Sequence, residues 1–410
     1  MSVLTRLSRC VREPRWALRR VAGKARYTTQ WTRLRVGGSA RALYAVRRSI
    51  PEDADLVFVF PSPSVPWGYL FQRPQQLARA LVELGHTVLY ASRPDFPDPP
   101  DSRVRAPTRV AEGPILFPVW NGLPSLADLG RPVVCWQYWP HQAAFARSLP
   151  PGSRRVYDCL DDLSCFSQYP GIERDHAEAL EHAEVVLASS QAIIEHIRTS
   201  RPDAIAVPNA ARVEDFTIPD DRAWPELDRG EGPLIGYYGA LATWIDYDLI
   251  RAAARARPNW RWLFIGDQVD HSARASGIER EPNVSVWPRK AYEDLPSLLT
   301  RFDAAIVPFR INTITQAVSP VKIFEYLAGG KPVISTPLRE CKRYEPVRTA
   351  ETPEAFVAAI EDALAAADDA AEIAARRRCA DENSWRARAE LVVDRLTTPG
   401  RVASEQPALA

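Results

Sequence analysis

Two charges interrupt an otherwise apolar run, Val321-Lys-Ile-Phe-Glu-Tyr-Leu-Ala328, and they stand three residues apart: Lys322 and Glu325. That spacing puts them on one face of a helix. The flanking residues predict such a helix. Ser319 is a suitable N-cap, because its hydroxyl can accept a free backbone N–H of the first turn. Pro320 suits the first helical position, where its missing N–H costs nothing. Gly329 and Gly330 offer a left-handed stop, and Lys331-Pro332 lead into a short buried strand, Val333–Ser335. On an exposed helix, Lys322 and Glu325 would be an ordinary surface ion pair. This helix is apolar nearly all round and is expected to be buried, and buried charges need partners. A helix N-terminus presents free N–H groups and a positive dipole end to an anion, phosphate above all. Lys322 adds a full charge there. Glu325, one turn on, can accept hydrogen bonds from hydroxyls such as those of a ribose. A nucleoside diphosphate satisfies both groups.

The rest of the chain supplies the frame. Its 410 residues are enough for two domains. Apolar content of 46% and charged content of 25% are those of an ordinary globular protein. Buried strands are predicted at Leu56–Phe60, Thr87–Ala91, Ile115–Pro118, Val133–Tyr138, Arg155–Cys159, Val185–Ser189 and Ala204–Pro208. Helices fit between them at Arg73–Leu84, which Gly85 caps, at Ile172–Ala183 and at Gln191–Thr199. This rhythm of strand, helix and strand implies a parallel sheet. A polar stretch over 218–232 reads as a linker, and the rhythm then restarts. Strands are predicted at Leu234–Tyr238, Trp260–Ile265, Val284–Trp287, Ala304–Pro308 and Val333–Ser335. Helices are predicted at Asp246–Ala256, Tyr292–Thr300 and Pro353–Ala366, with a long charged helix over 370–396. The expected fold class is α/β, with a basic segment over 1–50, a first doubly wound domain over 51–217, a second over 233–369, and a tail over 397–410. Ligands of such sheets bind beyond the carboxyl ends of the strands.

The stretch from Ser319 to Ser335 resembles the donor segment of GT-B glycosyltransferases of the family 4 (group 1) type, whose helix reads roughly P-x-K-x-x-E-x-x-A-x-G-x-P-V. Other segments stand in the order found in bacterial cell-surface polysaccharide transferases: Trp67-Gly-Tyr-Leu-Phe-Gln-Arg-Pro-Gln-Gln-Leu-Ala78, Gly85-His-Thr-Val88, Tyr157-Asp-Cys-Leu-Asp-Asp162, Ala188-Ser-Ser190, Val207-Pro-Asn209 and Gly236-Tyr-Tyr-Gly-Ala240. The resemblance covers about residues 55–395. It implies two Rossmann-like domains facing across a cleft, with the C-terminal helix crossing back to the first. It also implies transfer of a sugar from a nucleotide-diphosphate sugar to a glycan or lipid-linked acceptor, with retention of anomeric configuration. By the same resemblance Glu325 binds the ribose, while Lys322 and the amides of Ser319 and Val321 take the pyrophosphate. Two features depart from the family. The earlier Glu of its motif is here Ala317, beside Gln316. The basic pair after the first strand of the second domain is absent from Gly239–Asp246.

Chemistry of this kind needs few protein groups, because the main task is to stabilise charge growing on the leaving phosphate. Lys322 is the first candidate. Arg310 is the second, standing at the carboxyl end of the strand Ala304–Pro308; a solvated loop arginine is the plainer reading. Gly239 would let the backbone of Gly239-Ala240 approach the phosphates. Asp158 and Asp161 could position or deprotonate an acceptor hydroxyl, or cap the next helix together with Asp162. Gly68, Gln72 and Arg73 are candidates for acceptor contact; the plainer role for Gln72 and Arg73 is helix initiation. Asp246-Tyr-Asp248 matches a DxD metal motif, but acidic residues at the start of a helix simply suit its dipole. No metal and no cofactor are expected. Trp67, Trp120, Trp136, Trp139 and Trp244 could stack on sugars, though core packing suits most of them.

Residues 1–50 carry 13 basic residues and one acidic residue, Glu13, a charge of +12, and the remainder carries 39 basic and 50 acidic, or −11. The basic segment reads as a disordered tail, as a transit-like leader, or as a surface for anionic membrane. The acidic body opposes a nucleic-acid role. No run of 18 apolar residues exists to span a membrane. Six cysteines without CxxC spacing read as free thiols of a reducing compartment, so a cytoplasmic protein is expected, peripheral on the inner face of the plasma membrane. The rival readings are an epimerase or hydrolase on the same fold and a non-catalytic nucleotide- or glycan-binding protein.

Overall fold

The computed structural model describes residues 38–61, 67–68, 71–92, 107–118, 126–166, 169–217, 222–228 and 230–398. Most of the basic N-terminal segment, Trp120, part of the linker and most of the tail lie outside the described residues. The chain forms two compact units. One comprises residues 1–69, 86–135 and 144–153; the other comprises 70–85, 136–143 and 154–410.

In the first unit, helix α1 (Gly38–Ser49) places Val46 and Ile50 in the core with the strands. Strands β1 (Val57–Phe60) and β2 (Thr87–Ser92) pair in parallel. The short β3 (Thr108–Arg109) runs antiparallel to β4 (Ile115–Pro118), which pairs in parallel with β2. The start of β5 (Val134–Gln137) pairs with β1, which gives the order β3-β4-β2-β1-β5. Strand β1 is buried along its whole length, which is why it reads as a continuous apolar run rather than as an alternation.

The second unit holds α2 (Arg73–Glu83) and the parallel strands β6 (Arg154–Cys159), β7 (Val185–Ala188) and β8 (Ile205–Ala206). Helices α3 (Ile172–His182) and α4 (Gln191–Ile197) lie between these strands in sequence. A separate sheet of six parallel strands follows: β9 (Leu234–Tyr238), β10 (Arg261–Ile265), β11 (Val284–Trp287), β12 (Ala304–Val307), β13 (Val333–Ser335) and β14 (Val347–Thr349). Its order is β11-β10-β9-β12-β13-β14. That is the doubly wound Rossmann order, with its switch point between β9 and β12. Helices α5 (Val213–Thr217), α6 (Tyr247–Ala256), α7 (Val321–Ala328) and α8 (Pro353–Ala365) accompany these strands.

The charged C-terminal segment is two helices rather than one. Helix α9 (Ala370–Glu382) packs on α7, and α10 (Trp385–Thr397) packs on α2. The break is a capping event. The Asn383 amide donates to the Cys379 carbonyl at 2.7 Å, and the Ser384 hydroxyl accepts from Ala387 N at 3.2 Å to start the second helix. Among the described residues no helix is long and apolar enough to cross a membrane.

Candidate active site

The site is built where β9 and β12 diverge. Helix α7 is buried over Ile323–Ala328, and its first two residues, Val321 and Lys322, are half-buried. Its N-cap is Pro320, in an extended conformation, and not Ser319. The Ser319 hydroxyl is used differently: it accepts from Asn209 N at 3.1 Å, and the Ser319 carbonyl accepts from the Asn209 amide at 2.6 Å. The expected hydroxyl cap is therefore displaced by a tertiary contact, and within the first turn Ile323 N donates to the Pro320 carbonyl at 3.3 Å. At the other end only Gly330 turns left-handed, with φ +71, while Gly329 keeps φ −70.

The aliphatic end of Lys322 lies against the turn after β9. A Cβ built on Gly239 would stand 2.1 Å from Lys322 Cε and 2.7 Å from Nζ, so this path exists only beside glycine. The ammonium also lies over the rings of Tyr237, at 5.5 Å, and Phe309, at 5.9 Å. No ion pair of normal length joins Lys322 to Glu325. Burial lowers the Lys322 ammonium below its ordinary range, with Glu325 opposing the shift. Burial pushes the Glu325 carboxyl up to about 7, with Lys322 and the Tyr238 hydroxyl working against the rise and Asp215 adding to it. The Tyr238 hydroxyl stands beside the Glu325 carboxyl, and burial, followed by the Glu325 charge, pushes its titration well up. Lys322 and Glu325 are thus held near each other in a poorly solvated place, with the Tyr238 hydroxyl beside the carboxyl.

Arg310 follows β12, as expected, and is exposed. Its Nε donates to the Ile245 carbonyl at 3.1 Å, and its terminal nitrogen stands 3.5 Å from Asp248. The Asp246-Tyr-Asp248 motif is used up by structure. Asp246 caps α6 by accepting from Leu249 N at 3.1 Å, and Asp248 pairs with Arg251 at 2.6 Å. Ala240 lies half-buried in the turn, its carbonyl accepting from the Tyr237 hydroxyl at 3.1 Å. Ala317, at the position of the family's earlier Glu, is buried, and the neighbouring Gln316 side chain accepts from Arg339 N at 2.8 Å.

The residues read as acceptor-side separate into two groups. Arg73 and Asp158 are 3% and 1% exposed and form a bidentate pair at 2.9 and 2.8 Å. The Trp136 indole donates to the same carboxylate at 3.1 Å. Arg73 also reaches Asn209 Oδ1 at 3.3 Å and lies over the Trp385 ring. Arg73 and Asp158 are thus bound to each other and to Asn209, rather than standing free at a surface. By contrast Asp161 and Gln72 are exposed. Gln72 N donates to Gln75 Oε1 at 2.7 Å at the start of α2, the helix-initiating role. Asp162 caps the next short helix by accepting from Ser164 N at 2.9 Å. Gly68, in the first unit, is exposed, with φ +81 and open space around it. The sequence assigns no role to Asn209, and Trp136, expected to stack on sugar or pack in the core, donates its indole N–H to Asp158. Pro208-Asn209 at a strand end marks a turn in sequence, but nothing local says that the turn meets Ser319, 110 residues away.

A six-stranded sheet in Rossmann order, a second, mostly parallel sheet, and a buried Lys–Glu helix at the switch point together define a doubly wound α/β fold. Residues 232–369 match the family of glycosyl transferases group 1. Over 293 residues the chain is 26% identical to TuaH of Bacillus subtilis (strain 168), assigned as a glycosyltransferase of teichuronic acid biosynthesis; the match covers 66% of this chain and 73% of TuaH. Among solved structures it resembles sucrose-phosphate synthase from Thermosynechococcus elongatus, with a TM-score of 0.65, 15% identity, and coverage of 83% of this chain and 98% of the other. It also resembles Anabaena HepE in complex with UDP-glucose, with a TM-score of 0.59, 14% identity, and coverage of 83% and 99%. The chain has the GT-B fold, and its residues 232–369 form a domain of the glycosyl transferases group 1 family.

Proposed function

We propose that this enzyme moves a sugar from a nucleotide-diphosphate donor to a glycan or lipid-linked acceptor during synthesis of a cell-surface polysaccharide, with retention of anomeric configuration and without a metal ion. The single observation that carries the donor half is the placement of Lys322 against Gly239, one helical turn from Glu325, at the switch point of a Rossmann sheet. HepE was solved with UDP-glucose, and TuaH is assigned to teichuronic acid synthesis; both support the reading.

In this reading the pyrophosphate meets the N–H groups at Ser319 and Val321, the Gly239-Ala240 turn and the Lys322 ammonium. The ribose hydroxyls donate to Glu325. As the anomeric bond breaks, charge grows on the leaving phosphate, and Lys322 stabilises it in a poorly solvated site. Exposed Arg310 is the second cation for that charge. Asp161 orients the acceptor hydroxyl, with Gln72 and Gly68 on the acceptor side. Asp158 acts through Arg73, because both of its oxygens are occupied. The charge of the basic N-terminal segment supports contact with an anionic membrane surface, where lipid-linked acceptors would be met.

The test is a titration of UDP, GDP and ADP into the protein and into Lys322→Ala, followed by turnover of the matching nucleotide sugars with and without acceptors. One diphosphate should bind. A charge-assisted hydrogen bond is worth ~1.5–3 kcal/mol, so Lys322→Ala should weaken binding by about ten- to a hundredfold. If no diphosphate binds, or the substitution is silent, the donor assignment is wrong. Donor consumption that ignores every acceptor would instead favour an epimerase or hydrolase.

A smaller effect is expected from Asn209→Ala. Asn209 joins the Arg73–Asp158 pair to Ser319, the residue just ahead of the α7 N-cap. Loss of two hydrogen bonds, each worth about 1 kcal/mol, should loosen the phosphate end of α7 and weaken diphosphate binding by about tenfold. Calorimetric titration checks this, and unchanged affinity would separate the network from donor binding.

A further inference from the structure

Beyond β5 and β6 of the acceptor-side sheet the chain assembles an aromatic stack that the donor chemistry does not use. Trp139 follows β5 by two residues, His141 lies in the next turn, and Tyr169 follows the short helix after β6. The His141 ring is sandwiched. It stacks on Trp139 at 5.5 Å and 23°, and on Tyr169 at 4.7 Å and 20°. Phe166, buried, backs the stack at 6.2 Å.

Three observations give this stack a ligand. First, His141 is held by its faces. Its Nδ1 is buried without a hydrogen-bond partner, so ring stacking is what holds it in place. Second, the stack is uncharged. Burial lowers the His141 titration below its ordinary value, with Asp175 opposing, so the ring is neutral near pH 7 and does not repel the C–H groups of a ligand. Third, Tyr169 is 44% exposed, which an aromatic ring confined to core packing would not be. The chain between β6 and Tyr169 also carries the exposed carboxylates Asp161 and Asp162.

We infer that the free face of Tyr169, held rigid by His141 and Trp139, is a stacking subsite for a pyranose ring of the acceptor. One face of a pyranose presents axial C–H bonds, which are weakly positive and suit the negative face of an aromatic ring. Its equatorial hydroxyls project around the edge, where carboxylates can accept from them. A phosphate has no such C–H face, so the subsite takes a ring and leaves the anion to α7. The subsite lies beyond the carboxyl ends of parallel strands, where ligands of such sheets bind. The inference rests on the glycosyltransferase reading and specifies its acceptor side.

The experiment is saturation-transfer difference NMR on the full chain with cellobiose, lactose, maltose and N,N′-diacetylchitobiose at millimolar concentration. Wild type, Tyr169→Ala, Tyr169→Phe and His141→Ala are compared, and UDP, GDP and ADP titrations are run beside them. At least one saccharide should show saturation concentrated on the ring protons of a single face. Tyr169→Ala should weaken its binding by about three- to tenfold, and Tyr169→Phe should restore it. His141→Ala should fall between them, because it removes the support and not the contacting ring. Nucleotide binding should be unchanged in all three variants. If nucleotides bind while no saccharide signal depends on Tyr169, the subsite is wrong and the donor assignment stands. If saccharides bind through Tyr169 and no nucleotide binds, the subsite stands and the transferase reading falls. Absence of any saccharide signal from wild type overturns the subsite.

Discussion

Gly239→Ala should abolish measurable diphosphate binding, a loss on the order of a hundredfold or more, while leaving the protein folded. The argument is steric and local. Gly239 has φ +137, a conformation that residues with a Cβ rarely adopt. The added methyl carbon would stand 2.1 Å from Lys322 Cε and 3.1 Å from the Tyr237 hydroxyl. The backbone cannot back away, because Gly266 packs directly behind it: a Cβ on Gly266 would already lie 1.9 Å from the Gly239 carbonyl oxygen. The flexible end of Lys322 must therefore move, and the proposed phosphate contact moves with it. The substitution should cost at least as much affinity as Lys322→Ala, because it displaces the ammonium and also obstructs the turn that the phosphates approach. Calorimetric titration, with circular dichroism melts to confirm folding, measures both effects. Wild-type affinity in a folded Gly239→Ala protein would show that Lys322 acts elsewhere.

Glu325→Gln should make the enzyme more stable at about pH 8 and worse at binding its donor. The Glu325 carboxyl is raised from its ordinary value of 4.5 to about 7 by burial. The folded state therefore holds a proton that the unfolded state has released, and stability declines as pH rises between those two values. At 1.36 kcal/mol for each pH unit of separation, the penalty fully present above about pH 7 is ~3 kcal/mol, an upper figure for so coupled a site. Glutamine keeps the shape and removes the ionisation. The wild-type melting temperature should fall from about pH 5 to about pH 8 by several degrees more than that of Glu325→Gln, with the variant melting higher at the alkaline end. Binding should run the other way. Ribose hydroxyls need the carboxylate as acceptor, so wild-type affinity should fall as pH drops below about 7, and the variant should bind weakly without that dependence. Melts and titrations across this range decide the matter. A variant less stable than wild type at pH 8 would mean that Glu325 is already satisfied inside the protein and is not held for a ligand.

Such a trade is the pattern expected of a functional site: local stability is given up for a group that a ligand later satisfies. The same logic separates Lys322 and Glu325 from Arg73 and Asp158. The second pair is more deeply buried and satisfied internally, by bidentate contact, the Trp136 indole and Asn209. Its burial is therefore offset without an outside partner.

Local signals by themselves determined a great deal about this protein. Apolar runs such as Val57–Phe60 and Ala304–Val307 could only be strands buried on both faces, and their alternation with helices required parallel sheets. Lys322 and Glu325 stood out because charge within an apolar helix is visible in one turn of sequence. What depended on distant contacts was not legible. Ser319 looked like a helix cap because the local chemistry is right, yet Asn209 claims its hydroxyl from 110 residues away. Arg73 looked available for substrate because nothing nearby in sequence could neutralise it, and Asp158 does so from 85 residues away. The long charged segment read as one helix because no proline or glycine breaks it, while Asn383 and Ser384 end one helix and cap the next. Hydrophobic period and capping chemistry act within a few residues and so can be read from order alone. The partner of a buried polar group is chosen by packing, and only the tertiary structure decides it.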